Sequence, residues 1–208
     1  MLSGATLTRR LGHHGGVSLV DLVIPFKPLH LAKSRLGAAP ELALAMLRDT
    51  VAAARAARSV SEILIVCSDP VVADAVGVRV VPDSPLAGLN AAISFGAGLL
   101  GGRVAAMNAD LPALRTAELD AALEAVGDDP AFCPDHLGTG TTLLVSGLDQ
   151  PLRPLFGTGS AAAHLASGAK LLDGPWPSLR LDVDIQSDLA AAVALGVGPA
   201  TTAVLTVS

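Results

Sequence analysis

Lys27, Lys33 and Arg35 fall within one short stretch, IPFKPLHLAKSRLG (24–37), of a chain that has only three lysines in all. A surface built for solubility scatters its cations, whereas a site for a strongly anionic ligand gathers them. The stretch follows an apolar run and precedes a helix-like one, the position where α/β proteins bind phosphate. Lysine meets phosphate as a point charge and arginine as a two-pronged donor. No GxxxxGK and no GxGxxG follows this run, so phosphate binding here would rest on side chains and not on a glycine nest. A solvated loop with long side chains lying over apolar neighbours fits the same residues.

A second set is acidic. Asp110 lies in NADLP at the end of an apolar run, and Asp182 and Asp184 alternate in LDVDI (181–185). Alternation on a strand points both carboxylates to one face, where like charges repel unless a cation neutralises them. Hard oxygen ligands in this number suit Mg2+, which takes one or two carboxylates and fills its other positions with water and substrate phosphate. A solvent-facing edge, with Asp110 as a helix cap, fits the spacing too.

Two further segments are polar and glycine-bearing. PDSPLAGLNAAI (82–93) sets Asp83, Gly88 and Asn90 about the turn into a helix. An Asn amide there offers donor and acceptor to a base edge, although Asp-Ser-Pro before Gly is also ordinary turn chemistry. LGTGTTLLVS (137–146) is followed by LFGTGSAAAH (155–164), in which Gly157 and Ser160 precede an Ala-rich helix with unpaired first N–H groups. Thr142 opens a strand that could face the same anion. A capped helix beside a polar turn accounts for these residues equally well. His164 reads as a packing histidine and not as a base.

The elements that must position these groups alternate. Strands are expected over 19–26, 62–69, 78–83, 103–110, 131–134, 141–147 and 180–185. Helices are expected over 40–58, 71–76, 86–100, 114–126, 159–168 and 187–196, the last capped by Ser187. Continuous apolar runs such as EILIVCSD (62–69) suit strands buried on both faces of a parallel sheet. The pattern predicts helices on both faces of a mostly parallel sheet. In such sheets ligands bind beyond the carboxyl ends of the strands, so the cation loop, Asp83 and Asp110 should share one edge.

Composition narrows the class. At 208 residues, 51% hydrophobic but 2% aromatic, the chain has a core made of Ala, Val and Leu. The net charge of −5 and the lack of Tyr argue against a nucleic-acid binder, and no apolar run is long enough for a membrane span. Cys67 and Cys133 lie outside any metal or redox spacing and read as buried thiols of a protein in a reducing cytoplasm. Residues 1–17 read as an extension outside the fold, which leaves 18–208 as one domain.

In order and spacing, IPFKPLHLAKSRL, PDSPLAGLNAAI, ADLPAL, GTGTTLL, FGTGSAAAH and LDVDIQSDL resemble the CofC/FbiD guanylyltransferases of coenzyme F-420 biosynthesis, over about residues 19–196. The resemblance implies a MobA-like nucleotidyltransferase fold, a Rossmann-like three-layer α/β/α sandwich on a mixed sheet. It also implies that Asp110, Asp182 and Asp184 hold Mg2+, that Thr142, Gly157 and Ser160 bind a small phospho-acid, and that the segment 83–90 lies near guanine. Lys27, Lys33 and Arg35 would meet the GTP phosphates and take the catalytic, charge-neutralising role. AKSRL keeps the Arg-Leu end of the wider GxGxRL pattern but lacks its glycines. The implied reaction joins GTP to phosphoenolpyruvate, giving enolpyruvoyl-2-diphospho-5'-guanosine and diphosphate. The same chemistry on 2-phospho-L-lactate or 3-phosphoglycerate, or a silent nucleotide-binding domain, remains open on sequence. A downstream transferase of the same pathway is a further conceivable partner.

Overall fold

A computed structural model describes residues 19–29, 40–83 and 88–207. The expected extension, residues 1–17, lies outside that set, as do Lys33 and Arg35. Seven strands form one mixed sheet: β1 Val20–Pro25, β2 Val60–Val66, β3 Arg79–Val81, β4 Arg103–Met107, β5 Ala131–Pro134, β6 Thr141–Val145 and β7 Lys170–Leu171. Their order is β3-β2-β1-β4-β6-β5-β7. β1 pairs in parallel with β2 and β4, and β2 with β3. β6 runs antiparallel to both its neighbours, β4 and β5. After β3 the chain returns to the far side of β1 to lay down β4, so the strand order reverses between β1 and β4.

Eight helices complete the described residues: α1 Pro40–Arg55, α2 Pro70–Val76, α3 Leu89–Ala97, α4 Thr116–Glu124, α5 Ser160–Ala166, α6 Pro177–Arg180, α7 Gln186–Leu195 and α8 Pro199–Val207. Alternate residues of the central strands supply two cores. Leu22, Ile24, Ile63 and Ile65 pack with Leu47, Val51, Val72 and Leu119 of α1, α2 and α4. Val23, Val66 and Ala106 pack with Ala92 and Ile93 of α3 on the other face, where Ala161 of α5 joins Phe132 and Leu144. This is the three-layer sandwich on a mixed sheet. Gly96 lets α3 lie close on the sheet, because a Cβ there would stand 2.6 Å from the methyls of Val23 and Val66. Among the described residues no helix is long and apolar enough to cross a membrane.

Two expectations fail, each for a physical reason. The segment 180–185 is not a strand: α6 ends at Arg180 and the chain then runs irregularly to α7. Its alternation comes from a satellite core instead. Leu181 and Val183 are buried with Leu42, Met46 and Leu189, which leaves Asp182 between them and Asp184 just after Val183. One bond, from Val183 N–H to the Asp110 carbonyl at 3.0 Å, ties this segment past the end of β4. Nor does Ser187 cap α7. Its N-cap is Ile185, and the Asp188 carboxylate accepts the N–H groups of Asp184 and Ile185, both at 3.0 Å. α8 follows with an acid cap from far away: buried Asp49 of α1 accepts from Ala200 and Thr201 N–H at 3.0 and 2.7 Å.

Candidate active site

The strand order reverses between β1 and β4, and it is beyond the carboxyl ends of strands at such a reversal that open α/β sheets hold ligands. Lys27 follows β1 and is exposed there. The start of its loop is anchored by Asp69, whose carboxylate accepts Leu29 N–H at 3.0 Å and caps α2 through Val71 N–H at 3.1 Å. That anchoring role was not read from the sequence, although an Asp before Pro-Val-Val is a visible helix cap.

β4 ends at Met107 and is followed by Asn108 and Asp110, which meet the segment carrying Asp182 and Asp184. Burial, then the charges of Asp110 and Asp184, push the Asp182 carboxyl up to about 7. The predicted acidic set is therefore one electrostatic unit, brought together by an irregular segment and not by a strand. Among the described residues it does not close into a ready-made cage of three or more acidic, His or Cys ligands. Mg2+ sites at phosphates seldom do, since water and phosphate oxygens fill most positions. Asn108, not singled out in the sequence, donates its amide to Asp182 Oδ2 at 3.0 Å.

Asn108 also links the acidic group to β6, donating its backbone N–H to the Thr142 carbonyl at 2.9 Å. Thr142 itself is wholly buried, with its hydroxyl 3.5 Å from the Cys133 carbonyl. Gly157 and Ser160 lie on the loop entering α5. Gly157 has φ 133°, a conformation that only glycine adopts without strain, and a Cβ there would meet open space. Ser160 is buried at the first position of α5.

On the opposite flank, Asp83 follows edge strand β3. Ser68 clips it through its N–H at 3.0 Å, and its Oδ1 is buried with no hydrogen-bond partner among the described residues. Residues 84–87 lie outside those residues. Gly88, at φ 95°, is the N-cap of α3. Asn90, expected to offer its amide to a base, has both ends of that amide engaged with the backbone of Phe156 at 2.8 and 3.0 Å. A cavity of 560 Å³ lined by His136, Trp176, Arg180, Leu181 and Leu195 contains none of the predicted site residues. The acidic group at the strand-order reversal, with its perturbed carboxyl, marks the site better than that apolar hollow.

This mixed sheet has the nucleotidyltransferase class of α/β fold. A nucleotidyl transferase from Methanothermobacter thermautotroptrophicus superposes with a TM-score of 0.63 at 20% identity, over 85% of this chain and 97% of that one. Within the class, the chain belongs to the family described as guanylyl transferase CofC like, whose model matches residues 20–205. It is 52% identical over 193 residues to a phosphoenolpyruvate guanylyltransferase of Salinispora arenicola, covering 86% of this chain and 90% of that protein. It is 51% identical over 202 residues to one of Geodermatophilus obscurus, covering 89% and 93%.

Proposed function

We propose that the protein is a phosphoenolpyruvate guanylyltransferase working in coenzyme F-420 biosynthesis. An oxygen of the phosphoenolpyruvate phosphate attacks the α-phosphorus of GTP. The bond from that phosphorus to the α,β-bridging oxygen breaks, and diphosphate leaves with the electron pair. The nucleophile is already an anion, so the reaction asks for positioning and charge neutralisation more than for a base. The observation that carries the reading is the acidic unit of Asp110, Asp182 and Asp184 beside Thr142 at the strand-order reversal. The likeness to relatives of that name over most of both chains supports the choice of substrates.

Each group has a task in this reading. The Asp182 carboxyl, raised first by burial and then by the charges of Asp110 and Asp184, is one that a bound divalent cation would favour in its ionised form, and Asp110, Asp182 and Asp184 would hold Mg2+. Bound there, the ion would supply Lewis-acid neutralisation of phosphate charge. Lys27, with Lys33 and Arg35 of the same loop, offsets charge gathering on the departing diphosphate. The Asp83 carboxylate, whose Oδ1 has no hydrogen-bond partner among the described residues, is suited to accept the N1–H and N2–H of guanine, a donor pair that adenine lacks. Thr142, Gly157 and Ser160 receive the phospho-acid.

The test is to incubate the chain with Mg2+, each nucleoside triphosphate in turn, and phosphoenolpyruvate or 2-phospho-L-lactate, and to measure diphosphate. Release with GTP and phosphoenolpyruvate is expected. No release with any pair would exclude an enzyme, release with ATP or CTP alone would exclude guanine selection, and release with phospholactate alone would move the acceptor.

A further inference from the structure

The loop 155–160 carries Gly157 and Ser160, yet it belongs to no strand. Its backbone is held from two sides by side chains that the reaction does not itself use. From α3, the Asn90 amide closes a two-bond ring with Phe156: Oδ1 accepts its N–H at 2.8 Å and Nδ2 donates to its carbonyl at 3.0 Å. From α5, wholly buried His164 accepts Leu155 N–H at Nε2 at 3.0 Å and stands 2.9 Å from Thr141 Oγ1 through Nδ1.

These bonds fix the state of the imidazole. Because Nε2 accepts, its proton must sit on Nδ1, which then donates to Thr141. The ring is held between Phe132 and Phe156, with centroids at 5.7 and 5.2 Å. Burial also lowers its pKa to about 4, so the neutral form persists across the physiological range. A leucine could fill this space, but it would leave a buried hydroxyl and a backbone N–H without partners. Core packing alone therefore does not explain a histidine here, nor does it explain a two-bond Asn90 ring.

We propose that His164 and Asn90 are positioning residues of the phospho-acid subsite. Together they lock Leu155 and Phe156 against Thr141 on one side and α3 on the other. Gly157, Ser160 and Thr142 are thereby set as one anion-receiving surface before the substrate arrives. The inference rests on the reading of those three residues given above. It also moves Asn90 from the nucleotide to the acceptor side.

The experiment measures steady-state diphosphate release by the full chain and its His164→Leu, His164→Gln, Asn90→Ala and Asn90→Asp variants. The KM for phosphoenolpyruvate is taken at saturating GTP, and that for GTP at saturating phosphoenolpyruvate. His164→Leu and Asn90→Ala should raise the phosphoenolpyruvate KM about tenfold and the GTP KM far less. Gln and Asp, which keep one acceptor each, should recover part of the loss. Backbone amide exchange at Leu155 and Phe156 should accelerate in both truncated variants without ligand. If His164→Leu fails to fold, the Asn90 pair carries the test. An unmoved phosphoenolpyruvate KM, or both KM values rising in proportion, overturns the positioning role alone. Absence of turnover by the wild-type chain with any acceptor overturns the functional reading and this inference together.

Discussion

Asp182→Asn should separate what the acidic group does for the reaction from what it costs the fold. Burial and the charges of Asp110 and Asp184 raise the Asp182 carboxyl from 3.8 to about 7. The unfolded chain releases this proton near the lower value and the folded chain near the higher one. The fold therefore holds the extra proton between them, and its stability falls as pH rises through that window. The gap corresponds to about 4 kcal/mol, which partial exposure of Asp182 reduces to roughly 2–3 kcal/mol. Asparagine has the shape without the charge, and its oxygen can still accept from the Asn108 amide. Urea titration in chelator at pH 8 should find the variant more stable by that amount, with an unchanged m value. At pH 4 the difference should nearly vanish. Mg2+ should raise the wild-type midpoint and not the variant's, and diphosphate release should fall more than about a hundredfold. A variant no more stable than wild type in chelator at pH 8 would refute the electrostatic reasoning; one with wild-type turnover would refute the metal assignment.

Three predictions concern the frame. Asp49→Ala should cost roughly 2–4 kcal/mol in chemical denaturation, because it strips two backbone donors of α8 of a buried acceptor; a loss under about 0.5 kcal/mol would show that α8 is capped another way. Gly96→Ala should destabilise although alanine favours helix by about 1 kcal/mol, since its Cβ would stand 2.6 Å from Val23 and Val66 and overpacking costs roughly 1–3 kcal/mol. A raised melting temperature would show that α3 can retreat from the sheet. His164, lowered from 6.5 to about 4, should destabilise the fold by about 3 kcal/mol as pH falls across that window, because the unfolded chain takes up the proton first. His164→Gln should flatten this part of the pH–stability profile.

Much of the frame was legible because it is written in local periodicity. Continuous apolar runs marked β1, β2 and β4, and the Ala-rich stretches marked their helices. The alternation in 180–185 misled because burial in a satellite core produces the same period as a strand. Asp188, not Ser187, holds the start of α7, since a carboxylate reaching back can do what a cap does going forward. α8 gave little signal because its acceptor, Asp49, lies on α1. At the site, the acidic group was readable by type. Its supports were not: Asn108 reaches Asp182, and Asn90 reaches Phe156, across separations of 74 and 66 residues. Side-chain bonds of that span leave no local pattern. The nearest available clue was an amide at the end of an apolar run, in NADLP.

In the function proposed above, the direction of β6 lets one sheet edge serve both substrates. In a wholly parallel sheet every strand starts at the edge opposite the ligands. β6 is reversed, so its first residues, Thr141 and Thr142, lie beside Asn108 where β4 ends. The edge then reads in the order of the strands: Lys27 beyond β1, Asn108 and Asp110 beyond β4, Thr142 at β6. In-line transfer at phosphorus requires the entering and leaving oxygens on opposite sides of the reacting atom. In that proposal Lys27 on the β1 side suits the leaving diphosphate, the loop before α5 on the β6 side suits the entering phosphate, and the acidic group stands between them. A strand turned the other way would carry Thr142 to the far edge and leave the entering side without it.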